Sequence, residues 1–130
     1  NLRFITNGGG FSVFNGATTG SYTTSGWQHV SDERLKTNIK FIGSPLEKIL
    51  QLRGVSYNWK QTPTSDPQIG FIAQEVEKVF PEAVTKTKDG TYAMAYQNLV
   101  APLVEAVKEQ QKQIEELKAE IKLLKAKQNN

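Results

Sequence analysis

The chain has 130 residues, with 16 Lys and Arg against 13 Asp and Glu, a net charge of +3, one histidine and no cysteine. That length suits one modest domain plus an extra element rather than two independent cores. The composition excludes disulfides, thiolate catalysis and Cys-ligated metals, shows no signal peptide or membrane-spanning apolar run, and is less basic than a nucleic-acid module usually is. The first residue is Asn rather than Met, which points to a piece of a longer protein.

Residues 1–30 carry one formal charge, Arg3, and six of the ten glycines. Short apolar alternations, Arg3-Phe4-Ile5-Thr6 and Phe11-Ser12-Val13-Phe14, are punctuated by Gly8-Gly9-Gly10 and Asn15-Gly16. The pattern predicts short strands joined by tight turns, with Asn15-Gly16 a hairpin turn. So small a set of strands buries little alone and fits the end of a β-rich stalk, or strands completed by other chains.

Charge appears at Ser31, and residues 31–95 read as a compact α/β domain. A short mixed segment runs from Asp32 to Ile42 and ends at Gly43. Ser44-Pro45-Leu46-Glu47 then predicts a helix start, with Ser44 as N-cap, Pro45 first in the helix and Glu47 closing a capping box. This helix is expected to reach about Leu52 and to bury Leu46, Ile49 and Leu50. Val55–Trp59 alternates with period two and reads as a strand, and Gln61–Gln68, with Pro63 and Pro67, as a loop. Ile69-Gly70-Phe71-Ile72 leads into a short helix over 74–80 that Pro81 stops. Ala83–Lys86 and Thr91–Met94 flank Lys88-Asp89-Gly90 as a hairpin. Trp59, Phe71 and Phe80 are expected in the core.

Residues 96–130 hold the strongest periodicity. With Val100, Val107, Ile114 and Ile121 at heptad position a, Leu103, Gln110, Leu117 and Leu124 fall at d. Pro102 is tolerable if the helix begins near Asn98, and about 30 residues to Lys127 make roughly 45 Å of helix. A stripe of two positions in seven suits a coiled coil better than packing on a globular core. The plainer alternative is one amphipathic helix folded back on its own domain. Glu120 and Lys125 are spaced for an interhelical ion pair, and the polar Gln110 leaves the number of strands open. The lysines from 108 to 127 spread around the helix as a solubilising face.

One pair of residues could do chemistry. In Ser31-Asp32-Glu33-Arg34-Leu35-Lys36, a serine and a lysine stand five apart as nucleophile and base. The plainer reading makes Ser31 a helix cap and Lys36 a solvated lysine. On an ideal helix residues five apart differ by about 140°, so a working pair needs Ser31 off the helix and Lys36 turned back.

The stretch Ser31-Asp32-Glu33-Arg34-Leu35-Lys36-Thr37-Asn38-Ile39 resembles the opening motif of the self-cleaving intramolecular chaperones at the C-termini of phage endosialidases, tailspikes and tail or neck fibres. The likeness continues through Val55–Lys60, Ile69–Val76, Phe80–Val84, Tyr96 and Leu103–Glu109, covering essentially residues 31–130. The self-cleaving module of myelin regulatory factors is similar too, but the glycine-rich stalk points to the phage side. The resemblance implies an α+β homotrimer: a stalk end (1–30), a chaperone and autoprotease domain (31–95) and a coiled-coil helix (96–130). It implies cleavage at Val30–Ser31, with Ser31 the nucleophile and Lys36 the general base. Arg34 is a candidate for the like charge that favours a neutral lysine, or for positioning a carboxylate or carbonyl. Asn38, Gln74 or backbone amides are candidate oxyanion donors, and His29 could assist proton transfer, though a solvated stalk histidine is the plainer role. A packing and capping role is likewise the plainer one for Gln74-Glu75.

The expected partners are two further copies and the upstream fibre part of the same polypeptide, with no nucleic acid, no membrane, no metal and no cofactor. The expected setting is the host cytoplasm during virion assembly, with the fibre part passing to the virion. A non-cleaving trimerisation cap is the alternative. A basic coiled-coil nucleic-acid binder fits less well, given the even charge distribution.

Overall fold

The computed structural model describes residues 26–130 in full, and residues 3–7, 10–14 and 19–23 by their backbone. The chain is α+β, with short sheets and a long C-terminal helix, and it divides into two compact units, Asn1–Phe41 and Ile42–Asn130.

The first unit is an antiparallel meander of β1 (Arg3–Asn7), β2 (Gly10–Phe14), β3 (Thr19–Thr23) and β4 (Gly26–His29). Registers such as Phe4↔Val13, Ser12↔Ser21 and Tyr22↔Trp27 keep consecutive strands paired along their lengths. The alternations read from the sequence are strands here. The expected Asn15-Gly16 turn lies outside the described residues. Beyond β4 comes a single 3-10 turn over Glu33–Leu35, and no regular element follows before α1.

The second unit begins with α1 (Pro45–Leu50). Two antiparallel pairs follow, β5 (Val55–Tyr57) with β6 (Gln68–Gly70) and β7 (Val84–Lys86) with β8 (Tyr92–Met94), and α2 (Ala73–Val76) lies between them in sequence. The expected hairpin at 83–94 is present. Its turn is held by the Asp89 carboxylate, which accepts from the Thr87 hydroxyl and the Thr91 N–H. A 3-10 turn over Tyr96–Leu99 leads into α3 (Val100–Gln128). At 29 residues and 1.5 Å per residue, α3 is about 44 Å long.

Very little of this unit is fully buried. Val76, Phe80, Ala83 and Leu99 form the core, ringed by half-buried Ile49, Leu52, Phe71, Val79, Val84 and Met94. Helix α3 packs against α1 and contributes Pro102 and Ala106, both buried.

Several sequence expectations are corrected. Ser44 precedes α1 in left-handed conformation (φ 48°) and its side chain caps nothing. The free amide of Leu46 instead donates to the Glu109 carboxylate of α3 at 3.2 Å. A helix start needs acceptors for its first N–H groups, and here the acceptor comes from 63 residues away. Leu50 is 75% exposed because α1 is only six residues long and packs one side on α3. The helix expected over 74–80 shrinks to Ala73–Val76, after which Phe80 N–H closes a turn on the Val76 carbonyl at 2.8 Å. Trp59 stands 60% exposed, edge-on to Tyr57 at 5.3 Å, rather than in the core.

One close approach is specific enough to test. The Tyr96 hydroxyl accepts from the Phe71 N–H at 3.1 Å and occupies the space a β-carbon on buried Gly70 would need. Gly70→Ala is expected to lower unfolding stability by about 1–3 kcal/mol through overpacking. Denaturant titration should show that loss partly relieved in Gly70→Ala/Tyr96→Phe, where the obstructing oxygen is gone.

Candidate functional site

The chain leaves β4 at His29 and passes through Val30, which is 46% exposed, with no regular structure. Ser31 follows, and then Asp32 serves as N-cap of the 3-10 turn with extended backbone (φ −64°, ψ 129°). The turn closes through Leu35 N–H to the Asp32 carbonyl at 3.1 Å and Lys36 N–H to the Glu33 carbonyl at 3.0 Å. Ser31 therefore lies outside the helical turn, and Asp32 takes the capping role that the plainer reading gave to the serine. Lys36 ends the turn in extended conformation (φ −110°, ψ 147°), and its side chain folds back. Its Nζ donates to Ser31 Oγ at 2.7 Å. The two residues that needed one off the helix and the other reaching back have that arrangement.

The charges around the pair are ordered by one carboxylate. Asp32 Oδ1 accepts the Arg34 N–H at 2.9 Å and Arg34 Nε at 3.0 Å, while Oδ2 accepts the outer guanidinium nitrogen at 2.7 Å. The Arg34 guanidinium beside it, then the Arg34 amide and the Lys36 charge, hold the Asp32 carboxyl below the usual carboxylate value. The same contact raises the Arg34 guanidinium. Because the folded value of Asp32 is depressed, the clamp is complete above the ordinary carboxylate range and opens as pH falls through that lowered value. Of the roles considered for Arg34, the structure shows it holding a carboxylate.

The remaining candidates stand on other segments of the chain. His29 sits exposed on β4, edge-on to Trp27 at 5.6 Å. Asn38 is exposed in left-handed backbone (φ 54°), two residues beyond Lys36. Gln74 belongs to the second unit, on α2, and lines a groove of about 870 Å³ with Tyr57, Trp59, Phe71, Tyr92 and Tyr96. Its neighbour Glu75 is paired with Arg53, at 2.5 Å between Oε1 and the guanidinium. Asp32 was not singled out from the sequence. Its position two residues before Arg34 was the available signal, since an Asp at a turn start can bond the backbone two residues on.

The helix presents a second feature. Leu99, Pro102 and Ala106 face the domain, and Glu109 is half-buried below them. The stripe beginning at Val100, about 100° around the helix, is open: Val100, Leu103, Val107, Ile114, Leu117, Ile121 and Leu124 are between 40% and 60% exposed. A smaller cavity of about 420 Å³, lined by Ile49, Leu52, Phe71, Leu99, Val100 and Leu103, adjoins the start of that stripe. Among the described residues, no group of three or more His, Cys, Asp or Glu could hold a metal ion, and no helix is long and apolar enough to cross a membrane.

Residues 31–85 match the model of the family described as chaperone of endosialidase, which bears the peptidase S74 name. The chain is also similar to curated phage proteins. It is 35% identical over 98 residues to the long tail fiber protein Gp37 of Enterobacteria phage K3, covering 70% of this chain and 8% of that protein. For the Gp37 proteins of Enterobacteria phage M1 and Salmonella phage S16 the identities are 36% over 96 residues and 33% over 104. These cover 68% and 73% of this chain, and 38% and 14% of the relatives. The chain thus spans well under half the length of these relatives.

Proposed function

We propose that this chain, whose residues 31–85 match the chaperone-of-endosialidase family model, is the assembly chaperone of a phage tail fibre, and that it releases itself by serine autoproteolysis. The single observation carrying the proposal is the 2.7 Å contact between Lys36 Nζ and Ser31 Oγ, with the serine outside the helical turn and directly after an exposed Val30.

In the chemistry we infer, Lys36 first loses a proton, after which the same contact runs the other way and the serine hydroxyl donates to the amine. A serine hydroxyl is a weak nucleophile at neutral pH and needs such a base. Its Oγ attacks the Val30 carbonyl carbon, and the proton passes to Lys36. The tetrahedral adduct collapses by breaking the Val30–Ser31 C–N bond, and the lysine returns the proton to the departing amine. Val30 is then held as an ester on Ser31 Oγ. Water hydrolyses that ester, leaving a Val30 carboxylate, a restored serine hydroxyl and a new N-terminus at Ser31.

Assembly supplies the timing. Lysine serves as a base when burial or positive neighbours favour its neutral form, and Lys36 is exposed in the single chain. Three α3 helices joined along the open Val100–Leu124 stripe would form a coiled coil, align three fibre ends and bring neighbours over the junction. Interlocked β-fibres then persist because they unfold slowly, so removing the chaperone does not return them to monomers. The upstream fibre would pass to the virion and the chaperone would stay behind in the host cytoplasm.

The test is the intact mass of the purified, assembled chain followed over time. The expected result is two pieces, 1–30 and 31–130, from the wild-type chain and none from Ser31→Ala. An assembled wild-type chain that stays whole would favour a non-cleaving cap instead.

A further inference from the structure

The 3-10 turn that presents Ser31 and Lys36 has only two backbone hydrogen bonds and three residues, Glu33–Leu35, and all three are exposed. Such turns are weakly held on their own. Something else must keep a five-residue span at hydrogen-bond distance. The structure assigns that work to Asp32 and Arg34: we propose that their clamp positions Ser31 against Lys36 and keeps the Asp32 carboxylate from capturing the lysine. This rests on the Ser31/Lys36 reading of cleavage.

The first half of the argument is geometric. One carboxylate receives the Arg34 amide and the Nε and Nη2 nitrogens of its guanidinium, so the side chain before the turn and a side chain within it are tied to each other. Forked guanidinium–carboxylate contacts fix orientation as well as distance. Ser31 is joined directly to Asp32, so holding Asp32 sets the direction from which the serine meets the lysine. An exposed ion pair typically contributes little to stability, so the forked geometry matters here chiefly for orientation.

The second half is electrostatic. Asp32 is next in sequence to Ser31 and feels the Lys36 charge. A carboxylate without its guanidinium partner would compete with Ser31 Oγ for the ammonium, and an ion-paired ammonium is held protonated. Arg34 occupies both carboxylate oxygens and so leaves Lys36 for the serine. Asp32 and Arg34 are positioning residues in this account and do not touch the reacting atoms.

The test compares first-order cleavage rates of the full chain, with assembly of each variant checked by sedimentation. Arg34→Ala should slow cleavage about 100-fold, the size of effect expected from a displacement near 1 Å. Arg34→Lys, which keeps the charge but lacks the fork, should slow it about tenfold. The discriminating variant is Asp32→Asn/Arg34→Ala. Without a carboxylate to capture Lys36, it should cut at least about fivefold faster than Arg34→Ala alone, whereas a purely structural clamp predicts no recovery. Glu33→Gln, in the same turn, should stay within about twofold of wild type. A double variant no faster than Arg34→Ala, or an Arg34→Ala chain that cuts at the wild-type rate, overturns the proposal. Lys36→Ala separates the two layers: if it is inactive while Arg34→Ala is normal, only the clamp falls. If Lys36→Ala cuts normally, the Ser31/Lys36 reading itself falls.

Discussion

Replacing Lys36 by Ala is expected to abolish the break at Val30–Ser31 on the timescale of assembly, a loss of at least about 1,000-fold, the upper range of what a positioned base supplies. Lys36→Arg should be as inactive, although it keeps the positive charge and a donor for Ser31 Oγ, because a guanidinium stays protonated. Both substitutions fall on an exposed residue of a short turn, so oligomer size and thermal unfolding should stay close to wild type. The comparison between lysine and arginine carries the weight. If the contact at 2.7 Å only ties the turn together, arginine should replace lysine with much of the activity kept. If lysine is the base, charge without a dissociable proton does nothing. Densitometry of cut and uncut chain, with light scattering for assembly, reads both quantities from one sample.

A second large effect is expected at the open stripe of α3. Ile114 and Leu117 are 40% and 57% exposed in the single chain and lie on the part of the helix where no residue is buried. Burying such side chains contributes about 1.5–3 kcal/mol each, and a coiled coil of three strands repeats each gain three times. Ile114→Lys/Leu117→Lys puts two charges per chain into that seam and should leave the chain monomeric at micromolar concentration, where the proposed trimer would form. Far-ultraviolet circular dichroism should show lost helix, since a helix without its packing face is marginal. Cleavage should fail along with assembly, even with Ser31 and Lys36 intact. A monomeric variant that still cuts at the wild-type rate would remove the link between assembly and timing. An outward control, Lys112→Ala, alters only an exposed ion pair at 3.9 Å and should change neither.

How much of this was readable from the residues differs by element, for physical reasons. The strands at 3–7, 10–14 and 84–94 announce themselves by period-two alternation and turn residues, since local sterics decide them. Helix α3 follows from its heptads for the same reason. The start of α1 was legible but its cap was not. The group that satisfies Leu46 N–H is Glu109, on another helix, and no local pattern encodes that partner. Trp59 misled because aromatic content predicts burial within whatever finally surrounds the residue, and here it lies at the edge of a groove.

The candidate site shows the same division. Ser31 and Lys36 could be named from the motif, and so could the need for a break in helix geometry between them. The clamp beside them was half visible: Arg34 stood out, while nothing in the sequence reading singled out its partner Asp32. Only in the folded turn does one carboxylate serve as turn cap and as arginine partner together. A capping role for Asp32 also removes the plainer account of Ser31, because the cap position is filled by its neighbour.

Attack of Ser31 Oγ on the Val30 carbonyl can be caught by letting the assembled wild-type chain cut itself in the presence of hydroxylamine and weighing the N-terminal piece. An ester on Ser31 predicts a piece of residues 1–30 ending as the hydroxamate of Val30. A piece ending elsewhere, only a free Val30 carboxylate, or no piece at all from a fully assembled chain would contradict it.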